Sequence, residues 1–125
     1  HSSRLFTQKN YWAVIPHSLE EVAALLQSHL GMEEHYICRE DAESWIQGWL
    51  QDRTSFYVCR RGDFSQPLRF IITPPPADIA AFGQRLAACF RQAVTYGDVA
   101  YHGEENFTFT EQSHYEETSR TRRCT

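Results

Sequence analysis

Residues 54–73 decide the fold, and they read TSFYVCRRGDFSQPLRFIIT. Two arms, 56–59 and 68–73, are rich in aromatic and β-branched residues, and a polar break that contains glycine and proline separates them. The second arm alternates with the period of two that turns one side of a strand toward a core. The apolar positions on that side are Leu68, Phe70 and Ile72. Prolines at 74–76 end the arm because proline cannot donate to a β-ladder, so we predict a hairpin at the centre of a sheet.

Amphipathic helices are predicted on both sides of this hairpin. Ser18 opens a capping box, and apolar residues at helical spacing follow it as far as Gly31, so we expect a helix over 19–30. Asp78 opens a similar pattern that continues to about Val94. Each pattern has one apolar side, which is the side expected to pack on the sheet.

A third, shorter helix is predicted before the hairpin. Asp41 suits an N-cap, and acidic residues are favourable in the first turn that follows. The apolar residues on one side of this helix are Ala42, Trp45, Ile46 and Trp49. A glycine at position 48 lowers its stability by about 1 kcal/mol relative to alanine, so we expect the helix to be short. The two tryptophans are expected in the core, although such a pair can also anchor a partner protein.

The remaining strands complete the fold. Residues 11–15 are typical of a first strand, 35–38 of a short strand or an extended linker, and 98–101 with 107–110 of a last hairpin. Neighbouring strands that are joined by short turns pair antiparallel. We therefore expect a single α+β domain, in which about three amphipathic helices pack on a central antiparallel sheet.

Length and composition indicate one domain. The chain has 125 residues, of which 42% are hydrophobic and 22% charged, and a chain of this size can bury about two-thirds of its surface. We assign residues 10–112 to the domain, 1–9 to a tag remnant and flexible N-terminus, and 113–125 to a polar, flexible tail. No run of residues approaches the roughly 18 apolar residues of a membrane span.

The net charge and the cysteine spacing exclude several classes of function. A formal net charge of −4 argues against nucleic-acid binding, which favours basic surfaces, and is compatible with a basic protein partner. The four cysteines include no C-x-x-C pair, so a zinc knuckle is not expected. We expect buried, unpaired thiols at Cys59 and Cys89, and hence a cytoplasmic protein.

Candidate catalytic groups gather near the predicted last hairpin. His102, Glu104 and His114 could form an acid–base cluster, which leaves a small hydrolase or nuclease as an alternative function. The sequence contains no glycine-rich phosphate loop, no nucleophile elbow and no metalloprotease helix. A solvated hairpin tip explains the cluster without catalysis, and we predict no cofactor and no metal.

Two acidic runs are the candidate partner-binding residues. The first contains Glu33, Glu34, Glu40, Asp41 and Glu43, and the second contains Asp98, Glu104, Glu105 and Glu111. Small, acidic α+β domains without catalytic groups are typical of bacterial immunity proteins, which neutralise toxins by covering their active sites. Because an acidic surface attracts a basic toxin such as a nuclease, we predict an immunity-type inhibitor. A secretion chaperone, which would need an apolar groove for its client, is a further alternative.

Overall fold

Nine helices and strands make up the part of the chain that the structure describes. The structure, a computed structural model, describes residues 9–97 and 107–111. In chain order the elements are β1 (Asn10–Ala13), α1 (Leu19–Leu30), β2 (Glu34–Arg39), β3 (Glu43–Trp49), β4 (Ser55–Arg61), β5 (Leu68–Thr73), α2 (Ile79–Phe90), β6 (Val94–Gly97) and β7 (Phe107–Phe109). The α+β class is confirmed for these residues, with two helices instead of about three.

One antiparallel sheet contains all seven of these strands. Their order across the sheet is β2-β3-β4-β5-β1-β6-β7, and every neighbouring pair is antiparallel. The hairpin predicted over 54–73 is confirmed, since β4 pairs with β5 and Ser55 lies opposite Thr73. The hairpin is central because β1 adds to the far side of β5, with Tyr11 opposite Phe70.

Both helices begin where the sequence predicts. Ser18 Oγ accepts a hydrogen bond from the Glu21 amide at 3.2 Å, and the Glu21 carboxylate accepts one from the Ser18 amide at 2.9 Å. Gly31 ends α1 with a φ of 75°, which glycine adopts without steric cost. The Asp78 carboxylate caps α2 by accepting from the Ala81 amide at 3.0 Å. No helix in the described part of the chain is long and apolar enough to cross a membrane.

The end of α2 comes earlier than predicted. The last helical residue is Phe90, and Arg91 takes a left-handed φ of 55° that stops the helix. Val94 is fully buried in β6, opposite Phe109 of β7, because a β-branched side chain packs well in a sheet. The last hairpin therefore has β6 as its first arm, and the predicted arm 98–101 lies outside the described residues.

The helix predicted to begin at Asp41 is wrong, because its residues form β3. This strand pairs with β2 on one side and with β4 on the other, and those two ladders outweigh the helical spacing of its apolar residues. Ile46 and Gly48 are buried on one side of β3, whereas Trp45 and Trp49 are half-buried on the opposite side. The stretch 43–49 therefore follows the period of a strand.

Gly48 marks a close approach of the chain. A Cβ at this position would overlap Met32 Sδ and would lie 3.1 Å from the backbone oxygen of Glu34. Glycine inside a strand often marks a site where another part of the backbone approaches closely, so Gly48 is consistent with a strand here and not with a helix. Residues 35–38, predicted as a strand or a linker, belong to β2.

The helices α1 and α2 pack on one face of the sheet, which we call the covered face. α1 contacts β2 and β3, α2 contacts β6 and β7, and the two helices contact each other. Phe82 of α2 lies 5.6 Å from Tyr11 and 5.8 Å from Phe56, measured between ring centroids. The strand residues with no exposed surface on this face are Ile46, Phe56, Val58, Leu68, Phe70 and Val94. Each large apolar side chain buried here contributes roughly 1.5–3 kcal/mol.

Candidate functional site

The opposite face of the sheet, which we call the open face, carries neither α1 nor α2. Strand alternation sends every second side chain to it, and cross-strand register arranges them in rows. One row crosses the sheet through Cys38, Trp45, Cys59, Arg69, Trp12, Thr95 and Thr108. The next row contains Tyr36, Gln47, Tyr57 and Ile71.

Five aromatic side chains dominate the open face: Trp12, Tyr36, Trp45, Trp49 and Tyr57. Tyr36 is 54% exposed, and the other four are half-buried. The ring of Trp45 lies 6.1 Å from that of Tyr57, and the ring of Tyr36 lies 6.0 Å from that of Trp49, measured between centroids. Both pairs bridge neighbouring strands, so the rings form an aromatic surface that extends from β2 to β4.

Arg69 lies beside this aromatic surface, near the middle of the sheet. Its Nη2 lies 3.9 Å from Glu43 Oε2 and donates to Cys59 Sγ at 3.7 Å. Burial, followed by a hydrogen bond that involves Glu43, raises the pKa of the Cys59 thiol to about 11. A neutral, buried thiol is a packing group and a poor nucleophile, as predicted for Cys59.

The first acidic run is divided between the two ends of β2. Glu33 and Glu34 lie at its start, and Glu40 and Asp41 lie at its end, in the turn to β3; all four are exposed. The six residues of β2 place the two acidic pairs about 20 Å apart, at roughly 3.3 Å per residue. The run therefore does not form one patch; it places an acidic pair at each end of the aromatic surface.

The other predicted site residues are dispersed. Glu43 begins β3 and turns toward Arg69, and Glu111 is exposed just beyond β7, at the opposite edge of the sheet. The candidates that lie outside the described residues are Asp98, His102, Glu104, Glu105 and His114. Within residues 9–97 and 107–111, no three His, Cys, Asp or Glu side chains converge as a metal site requires.

Sequence reasoning missed the open face as a surface. It assigned Trp45 and Trp49 to one side of a helix, where the core was the expected location. The signal was present in β4, where Tyr57 stands between Phe56 and Val58. In a strand whose outer side faces only water, apolar residues alternate with polar ones. β4 instead has apolar or aromatic residues on both sides, which indicates that its outer side is more than a solvated surface.

Comparison with known proteins assigns no family, since no family model, no curated protein and no solved structure matches the chain. The function must therefore be inferred from the geometry of the described residues.

Proposed function

We propose that this protein is a binding module that captures a basic protein through the open face of its sheet. In this proposal it acts as an immunity-type inhibitor, which neutralises a basic toxin such as a nuclease by covering the active site of the toxin. The single observation that carries the proposal is the aromatic surface between β2 and β4, which is bounded by an acidic pair at each end.

The aromatic surface has the composition of an interface centre. Trp, Tyr and Arg are the residues most enriched in binding hot spots, and Trp45, Tyr57 and Arg69 lie on neighbouring strands of the open face. Tyr36 extends the same surface with a ring that is 54% exposed. Large rings with few rotatable bonds can bury area at a low cost in conformational entropy.

The acidic pairs define the charge of the partner. Glu33 and Glu34 at one end, and Glu40 and Asp41 at the other, are exposed, so they attract Lys and Arg side chains and repel acidic ones. Rings between them also attract cations through their faces. The aromatic surface at the centre and the acidic pairs at its rim together favour a basic protein surface over a neutral or acidic one.

The thiols support the compartment in this proposal, which is the cytoplasm. Cys38, Cys59 and Cys89 are free, and the last two are buried. Free thiols persist in reducing compartments, where inhibitors that protect a cell from its own toxin must also act.

The experiment that tests this function is a comparative capture from lysate of the source cells. The wild-type chain, the open-face variant Tyr36→Ala/Trp45→Ala and the control variant Val14→Ala/Phe107→Ala are immobilised in equal amounts. The control removes two exposed apolar side chains, 45% and 56% exposed, that lie outside the aromatic surface between β2 and β4, since Val14 follows β1 and Phe107 begins β7. We expect a basic protein that binds the wild type and the control but is retained at least tenfold less by the open-face variant.

Inhibition is then measured with the purified captured protein. Its toxic activity should fall in proportion to the amount of wild-type chain added, and the open-face variant should protect at least tenfold less well. Equal capture by all three proteins, or capture without any loss of toxic activity, would contradict the proposal.

A further inference from the structure

The two edges of the sheet differ in length and composition. Among the described residues, β7 forms one edge with three residues, whereas β2 forms the other with six. No described residue pairs with the outer side of β2, and the strand contains neither proline nor glycine. Natural edge strands are usually shortened, bulged or interrupted by proline, so a long uninterrupted edge favours pairing with another strand.

The hydrogen bonding in the turn between β2 and β3 shows which backbone groups of β2 face outward, away from β3. The Glu40 amide donates to the Glu43 oxygen at 3.2 Å, which marks this pair as hydrogen-bonded across the hairpin. Hydrogen-bonded and non-hydrogen-bonded pairs alternate along an antiparallel ladder, so Tyr36 and Cys38 bond to β3. The residues whose amide and carbonyl groups face outward are His35, Ile37 and Arg39.

The charges at both ends of β2 select the strand that can pair with it. A second copy of the chain, paired antiparallel about Ile37, would place Glu34 opposite Glu40 of the other copy. Like charges opposite each other destabilise a strand pair. The one arginine of the strand, Arg39, is already bound by Glu20 of α1. In this register the edge therefore disfavours self-association, and its acidic ends suit a strand with a basic residue at each end.

We propose that β2 is a site of strand addition, at which an extended segment of the partner pairs with the free edge. The segment has about seven residues, β-branched or apolar in its middle, with Lys or Arg at both ends. This inference rests on the proposed function and adds how the basic partner is held. Main-chain hydrogen bonds to His35, Ile37 and Arg39 provide the pairing, as in other cases of strand addition.

The added strand would be continuous with the open face. Its side chains on that face would lie next to Tyr36 and Cys38, in line with the aromatic surface. Tyr36, which is 54% exposed at the edge of the sheet, would then be covered from the side. The two parts of the interface thus meet at Tyr36, with main-chain pairing on one side and aromatic contact on the other.

The test is residue-resolved amide hydrogen exchange with a defined peptide. The probe is acetyl-Lys-Val-Thr-Val-Thr-Val-Lys-amide, and the control peptide has Glu in place of both Lys residues. In the free chain, the amides of His35, Ile37 and Arg39 should exchange faster than those of Tyr36 and Cys38. The Lys peptide in excess should slow the first three amides at least tenfold, and the Glu peptide should slow them less than twofold.

Two protein variants check the role of charge. Glu34→Gln should weaken the protection by the Lys peptide at least threefold, whereas Asp63→Asn, an exposed change in the turn between β4 and β5, should leave it unchanged. Slow exchange of the three amides in the free chain would mean that the edge is already covered, and would overturn the inference. Equal protection by the Lys and Glu peptides, or by neither, would also overturn it.

The same measurement on the complex with the captured protein separates this inference from the proposed function. Slowed exchange at His35, Ile37 and Arg39 in the complex supports strand addition. A basic protein whose capture depends on Tyr36 and Trp45, but which leaves those three amides fast, would overturn strand addition and leave the proposed function standing. If no such protein is captured, the proposed function fails, whatever the peptides do.

Discussion

The covered face and the open face come from the same strands, yet their chemistry differs. In β4, Phe56 and Val58 have no exposed surface on the covered face, whereas Tyr57 between them is half-buried on the open face. The covered face is packed by α1 and α2 and is almost entirely apolar. The open face combines aromatic rings with polar groups such as Arg69 and Gln47. Aromatic content alone therefore does not identify a core.

The arginines of β4 and β5 show the same contrast. Arg60 turns to the covered face, is 5% exposed, and donates through Nη2 to the backbone oxygens of Ile15 and His17 at 2.7 and 2.8 Å. Arg69 turns to the open face and lies 3.9 Å from the Glu43 carboxylate. One guanidinium holds the segment between β1 and α1 in place, and the other is partly exposed to solvent on the open face.

The largest expected effect is on the covered face. Phe70→Ala removes a side chain with no exposed surface, beside Phe90 of α2. It should lower the free energy of unfolding by about 3–5 kcal/mol, the usual cost of an empty space of this size in a core. Chemical denaturation measures this loss. Ile71→Ala, on the open side of the same strand, should cost less, and a loss below about 1 kcal/mol for Phe70→Ala would contradict the assignment of the core.

A smaller effect is expected from the two arginines. Arg60→Met leaves the oxygens of Ile15 and His17 without this donor, so it should lower the free energy of unfolding by about 1–3 kcal/mol. Arg69→Met removes a long ion pair, worth about 0–1 kcal/mol, and a long hydrogen bond to Cys59 Sγ. Thermal and chemical unfolding of both variants compare the two faces directly. Equal losses would mean that the open face is as tightly packed as the covered one.

Thiol chemistry probes how well each face excludes water. Burial raises the pKa of both Cys59 and Cys89 from 9.0 to about 11, which lowers their thiolate fraction at pH 8 about a hundredfold. Among the three described cysteines, half-buried Cys38 should therefore react with a thiol reagent before buried Cys59 and Cys89, as site-resolved mass spectrometry would show. Fast labelling of Cys59 would mean that the rings of the open face do not cover it.

The same pKa shifts predict that the free energy of unfolding falls as pH rises from 9 toward 11, because the unfolded chain then releases protons that the folded chain keeps.

The smallest effect on folding is expected from the acidic rim. Glu33→Lys/Glu34→Lys changes two exposed residues, so each substitution should alter the free energy of unfolding by no more than about 0.5 kcal/mol. The variant should nevertheless associate more slowly with the captured basic protein, because rim charges act mainly on the association rate. Its association rate should also depend less on salt concentration. Stopped-flow kinetics at two salt concentrations would measure it. Unchanged kinetics would remove the acidic rim from the proposed mechanism.

Local patterns in the sequence were enough for much of the fold. The hairpin over 54–73, the capping box at Ser18 and the N-cap at Asp78 were all predicted, because each depends on a few neighbouring residues. The acidic residues Glu33, Glu34, Glu40 and Asp41 were recognised, but their arrangement was not. Only the length of β2 shows that they bracket a surface instead of forming a patch.

Tertiary structure decided the identity of β3 and the use of the two faces. The apolar residues Trp45, Ile46 and Trp49 fit a helical stripe and a strand about equally well, and pairing with β2 and β4 settled the matter. The sequence of β4 carries apolar or aromatic residues on both sides, but it does not show which side the helices cover. That choice depends on contacts between residues far apart in the chain, such as Phe82 with Tyr11 and Phe56, which no local pattern contains.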